Sequence, residues 1–158
     1  MSTFSQTEVV FNGHSMVGPL RRVLLCSPIR AAWSEPERRA RWRELGFHHA
    51  PDFAESQAQH DALCRELLSA GAELLELPPA SDLSLDCVYA HDASLATDFG
   101  LIIMRPGKPN RLAEGPRHRS IAENVGIPIF AEITAPATTE AGDIVWLDAK
   151  TLLIGHGY

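Results

Sequence analysis

Short apolar runs separated by polar turns, with two longer helical stretches between them, set the pattern of this chain. Arg22-Val23-Leu24-Leu25-Cys26-Ser27 is an apolar run that stops at Pro28, as a buried strand would. Ser34 with Glu37 three residues on reads as a capping box, with Pro36 tolerated in a first turn, so a short charged helix is expected to about Gly46. Asp52 with Glu55 is a second helix start. Residues 53–70 then follow a helical period, with Leu63, Leu67 and Ala70 joined by Ala58 and Ala62 on the apolar side, and Gly71 as the stop. Residues 72–77 are a strand, closed by Pro78-Pro79.

Past these prolines the pattern becomes regular. Asp86-Cys87-Val88-Tyr89-Ala90-His91-Asp92 reads as a short strand of β-formers, and residues 95–104 as a second, turned at Asp98-Phe99-Gly100. A helix is expected over 115–124, a strand over 127–133, and a hairpin from 144–147 and 151–154. Residues 86–133 thus form a ββαβ module, residues 22–77 a less regular one, and the hairpin from Glu140 the start of a third. Residues 1–19 show no period and read as an N-terminal arm, followed by a domain over 20–158 that ends within its third unit. Such an ending leaves sheet edges uncovered, so either a C-terminal half is missing or the chain pairs with a partner, as in a homo-oligomer.

Composition narrows the function. The 158 residues, 45% apolar and 22% charged, suit one soluble domain with its own core. The net charge of −6 argues against nucleic acid and weakly favours a small cationic ligand. Three cysteines without a CxxC pair suggest a reducing compartment. With no leader and no membrane-spanning run visible, the expectation is a cytoplasmic protein.

Chemistry gathers in three places. On a regular strand Asp86 and Asp92 project to one face and His91 to the other, and two carboxylates aimed at one spot ask for a cation between them. The plainer reading makes both aspartates turn residues. Thr139-Glu140-Ala141-Gly142-Asp143 adds carboxylates before the last hairpin, with Gly142 allowing a close backbone approach. Arg105 and Arg111 flank a Pro-Gly loop, and either could take a carboxylate by a bidentate fork. A ligand with a flat cationic head and an anionic tail would satisfy the set, and an arginine-like amino acid has that form.

Cys26 reads as a buried strand residue, and Cys64 as lying on the core side of its helix. Cys87, beside Asp86, is read as structural. His48, His49 and His60 show no ligand spacing with any cysteine, and His118 belongs on a surface helix.

In this order and spacing, Asp86 and Asp92, Arg105-Pro106-Gly107 with Arg111, Glu140-Ala141-Gly142-Asp143 and Ile154-Gly155 resemble the N-terminal half of dimethylarginine dimethylaminohydrolase. They resemble equally its relatives in the arginine deiminase and amidinotransferase superfamily. The resemblance covers residues 20–158 and implies about half of a five-unit α/β propeller of ββαβ modules. It implies hydrolysis at a guanidinium carbon through a cysteine thiolate, with a histidine as acid and base and with no metal or cofactor. By position it makes Asp92 the residue that grips the guanidinium, Asp86 a second substrate contact and Arg111 the partner of the substrate α-carboxylate. Glu140 supports the catalytic centre. It also implies that the nucleophilic cysteine and the histidine lie beyond Tyr158, so that this chain alone is inactive. His91 and His156 receive no role.

The substrate expected is arginine or an N-methylated arginine. Amidino transfer to another amine is the alternative within the superfamily. A non-catalytic binding or assembly module that completes its sheet with a partner is the alternative outside it.

Overall fold

Seven strands, each of four or five residues, form three separate small sheets in the computed structural model, which describes residues 11–157. Residues 1–10 of the expected N-terminal arm, and Tyr158, lie outside the described residues.

The first sheet pairs β1 (Arg22–Leu25) with β2 (Glu73–Glu76) in parallel, Val23 facing Leu74. A parallel pair needs a crossover, and helix α2 (Phe53–Ser69) supplies it. Its start is the one expected: the Asp52 side chain accepts from the Glu55 backbone N–H at 2.9 Å. Its end is Gly71 at φ +86°, where a side chain would be strained. The shorter α1 (Pro36–Arg39) before it does not use the capping box. Glu35 is its cap residue and no side chain bonds the free N–H groups, so Ser34 and Glu37 are a spurious match.

The face that α2 turns inward also differs from the expected stripe. Leu63 is exposed, as are Ala58 and Ala70, while Phe53, Gln57, His60, Cys64 and Leu67 are half-buried. Polar groups fill this face because it borders an open cleft of about 610 Å³ beside the first sheet. His60 Nδ1 lies 3.5 Å from Cys64 Sγ, one helical turn away.

The second sheet is the complete unit. The antiparallel pair β3 (Ser94–Thr97) and β4 (Gly100–Ile103) turns at Asp98-Phe99, helix α3 (Glu114–Asn124) crosses over, and β5 (Ile129–Glu132) returns parallel to β4. Gly100 is required there, because its φ is +128° and an added Cβ would strike the Pro128 backbone. The last hairpin, β6 (Ile144–Asp148) with β7 (Thr151–Ile154), is joined to the second sheet by Trp146, whose indole Nε1 donates to the Ala96 carbonyl at 3.2 Å.

Two buried clusters underlie this. Cys26, Trp33, Leu77, Leu83, Leu85 and Cys87 lead the first; Leu95, Met104, Ala141 and Ile144 form the second. Each fully buried leucine contributes about 1.5–3 kcal/mol of transfer free energy.

The expected strand at Asp86–Asp92 is not one. Leu85–Val88 and Ala90–Ala93 are two successive 3₁₀ turns. The Ser84 hydroxyl accepts from the Asp86 N–H, and the N–H groups of Cys87 and Tyr89 return to Ser84 and Asp86. Local bonds of this kind compete with a ladder and here outweigh the β-propensity of Cys-Val-Tyr. Burial confirms it: Leu85, Asp86 and Cys87 are all buried in sequence, which an alternating strand does not allow.

Candidate functional site

The double turn places Asp92 on a buried arginine and Asp86 on a separate lysine and asparagine nearby, by a route other than strand alternation. A 3₁₀ turn at Pro109–Arg111 runs into α3, and Arg111 sits at its end, buried to 4% exposure. Its guanidinium is nearly saturated. Nε donates to Glu114 Oε1 at 2.9 Å and Nη2 to Glu114 Oε2 at 2.8 Å, a bidentate fork. Nη2 also donates to the Tyr89 carbonyl at 3.1 Å, and Nη1 to Asp92 Oδ2 at 2.8 Å. Four of its five N–H groups are thereby used. Glu140 Oε2 stands 3.7 Å from Nη1, and Glu140 Oε1 accepts from the Gly107 N–H at 3.2 Å.

Asp86 lies a turn away with its own partners. Its Oδ2 accepts from Asn110 Nδ2 at 3.1 Å and from Lys108 Nζ at 3.4 Å, and Lys108 also donates to the Leu45 carbonyl. The loop between β4 and α3 thus ties the aspartates to the first unit.

The approach of Asp92 to the turn at Ala141–Asp143 depends on Gly142. A Cβ there would lie 2.5 Å from Asp92 Oδ1. The close approach expected of this glycine is observed, and the group it admits is a carboxylate of the cluster. The strand-like bridge between Arg105 and Thr139 holds the two segments together. Arg105 itself points elsewhere, to the Ala137 carbonyl.

Charge is unbalanced here. Asp86, Asp92, Glu114 and Glu140 contribute four negative charges, Arg111 and Lys108 two positive ones, leaving two negative charges in excess. Burial opposes the charge on Arg111, yet its bonds to Glu114 and Asp92 outweigh this and hold its pKa above the usual value. Burial pushes the Glu114 carboxyl up, with Arg111 pulling against it. Glu114 and Arg111 are buried, whereas the Asp92 and Glu140 side chains keep 20% and 29% exposure. The excess charge therefore has its open side at Asp92 and Glu140.

Two residues here were missed from sequence. Glu114 lies just before the expected helix, and its only signal in the sequence is the i, i+3 spacing from Arg111. His118, expected on a surface, is buried on α3. Its Nδ1 lies 2.9 Å from Ser94 Oγ, its Nε2 has no partner, and burial with the nearby Arg111 charge lowers its pKa to about 4. Tyr89 is half exposed and stacks on Phe47, with ring centroids 6.3 Å apart. Cys26 and Cys87 are buried in the first core with their Sγ atoms 3.4 Å apart. Among the described residues no three His, Cys, Asp or Glu side chains are grouped to hold a metal ion, and no helix is long and apolar enough to cross a membrane.

The fold and cluster define an α/β protein of small sheets with an acidic site organised on a buried arginine. No protein-family model matches the chain. A curated relative, the N(G),N(G)-dimethylarginine dimethylaminohydrolase of Pseudomonas aeruginosa, is 34% identical over 95 residues, 60% of this chain and 37% of the relative. A crystal structure of dimethylarginine dimethylaminohydrolase as an adduct with S-methyl-L-thiocitrulline superposes with a TM-score of 0.67 at 27% identity, over 87% of this chain and 50% of that one. The product-bound N-terminal domain of ArgZ, an arginine dihydrolase of cyanobacteria, shares the fold at a TM-score of 0.66 and 23% identity, over 88% and 50%. Over these stretches the chain is similar to dimethylarginine dimethylaminohydrolase and its amidinotransferase-like relatives. It spans 37% of the curated relative and about half of these solved chains.

Proposed function

We propose that this chain supplies the cation-gripping wall of a guanidino-group hydrolase acting on arginine or an N-methylated arginine. The observation that carries the reading is the excess of two negative charges, open to solvent at Asp92 and Glu140. A planar cation with N–H donors on its edges matches two such carboxylates in shape as well as charge. In this reading Asp92 takes the guanidinium and Asp86 is the second substrate contact. Glu140 supports the reacting centre. Arg111 has one N–H left, on Nη1, which is too few for a bidentate hold on a substrate carboxylate. Its larger part is to hold Asp92 and Glu140 in place.

The chemistry needs a thiolate and a histidine to protonate the leaving amine. Cys26 and Cys87 are buried with each other, and Cys64 faces the separate cleft beside α2. The reading therefore assigns the thiolate and the acid–base histidine to sequence outside this chain, and the chain alone binds without turnover. The three small sheets are read as successive units of an α/β propeller, in a cytoplasmic protein.

The test is titration of the chain with L-arginine and asymmetric dimethylarginine, followed by calorimetry and by amide NMR. Saturable binding that perturbs the Asp92 and Gly142 amides and weakens in Asp92→Asn is expected. Binding of neither ligand at millimolar concentration would sink the reading.

A further inference from the structure

We propose that Glu114 is the positioning residue of this site: by occupying one edge of the Arg111 guanidinium, it keeps Asp92 and Glu140 free to hold a ligand cation. This rests on the guanidinium reading above. A guanidinium has two edges that can form a fork with a carboxylate, and Arg111 stands among three carboxylates. The edge carrying Nε and Nη2 is taken by Glu114, with both bonds at 2.8–2.9 Å and both partners buried. Only Nη1 then faces the open carboxylates, donating once to Asp92 and standing 3.7 Å from Glu140.

With that partner gone, only the single bond from Nη2 to the Tyr89 carbonyl is left on that side. Arg111 would turn a full edge onto Asp92 and Glu140, pairing with both and occupying the place a ligand's guanidinium would take. Glu114 thus decides which edge of a fixed cation reaches the site.

The backbone holds Glu114 to this task. It occupies the first turn of α3, where a carboxylate is favoured by the free N–H groups of the helix end. The next residue is Gly115, where an added Cβ would lie 2.7 Å from the Met104 carbonyl oxygen. The helix start is therefore set directly against the end of β4 and has little room to shift.

The experiment measures dissociation constants of the chain for L-arginine and for L-citrulline, which is similar in shape but uncharged. It compares wild type, Glu114→Asp and Glu114→Gln, with thermal melting as the check on folding. Glu114→Asp keeps the charge but shortens the arm and breaks the fork. It is expected to weaken arginine about tenfold and citrulline by less than about twofold. Glu114→Gln is expected to weaken arginine at least as much. Arginine binding unchanged in Glu114→Asp, or equal losses for both ligands, would overturn the proposal and leave the guanidinium reading standing. If wild type binds neither ligand, that reading falls and takes this one with it. Wild type also offers a measurement that needs no variant. The Arg111 Nε–H resonance is expected to stay in place as arginine is added, while the Asp92 amide moves. A moving Nε–H would show the fork released on binding and refute the assignment.

Discussion

Acidification is expected to destabilise this chain through His118. Burial and the Arg111 charge lower its imidazole from 6.5 to about 4 in the folded state. Between those values the unfolded chain takes up a proton and the folded chain does not, so stability falls as pH drops through that window. Below about 4 the folded imidazole is protonated too, and the loss is complete. A shift of about 2.5 units at 1.36 kcal/mol per unit gives a loss of about 3 kcal/mol. Of the groups around His118, Arg111 keeps its charge throughout and Ser94 does not titrate. Glu114, raised by burial, works in the opposite sense and gains stability as pH falls. Its effect is common to wild type and His118→Gln, so the difference between the two isolates the imidazole. Urea unfolding of both proteins from neutral pH to about pH 4 should show wild type losing about 3 kcal/mol more than the variant. Parallel loss in the two proteins would refute the reasoning and show that the unpartnered Nε2 finds a proton acceptor.

Arg111→Met leaves Glu114 buried without a cation and is expected to cost about 3–5 kcal/mol in urea unfolding. Arg111→Met combined with Glu114→Leu should recover much of that loss, because no fully buried charge is then orphaned and Asp92 and Glu140 keep access to water. Gly142→Ala places a methyl group against Asp92 Oδ1 and is expected to weaken arginine binding about tenfold by calorimetry, with stability changed by less than about 1 kcal/mol. Iodoacetamide followed by mass spectrometry should label Cys64 in the folded chain, and Cys26 and Cys87 only after denaturation.

The elements with local signals were legible in the sequence. Asp52 with Glu55 and Gly71 delimit α2, and the turn residues at 98–100 and 148–150 fall where the hairpins turn. The ββαβ unit was legible only in part: its expected first strand at 86–92 is a pair of 3₁₀ turns, and both strands of its hairpin lie in the stretch read as the second strand. The site residues were legible as a set, since Asp92, Arg111 and Glu140 do meet, but their arrangement was not. The aspartates sit on two 3₁₀ turns because Ser84 and buried neighbours override β-propensity, and no short-range pattern carries that contest. Glu114 and His118 were hidden for a related reason. On α3 they lie one turn apart, and whether that face meets water or Arg111 is decided by how the helix sits on β4. The inward face of α2 was misread because its polar residues border a cleft, where helical periodicity does not report burial.

Asp92, Arg111 and Glu114 all fall within the stretch from the second 3₁₀ turn to the start of α3, so bringing them together closes only a small loop of chain. The entropy of closing a loop rises with its length, so this trio is cheap to assemble, whereas Glu140 must come from beyond β5. The arginine and its two nearest partners are thus joined through one short stretch of chain, and the segment before the last hairpin adds the remaining carboxylate from farther along.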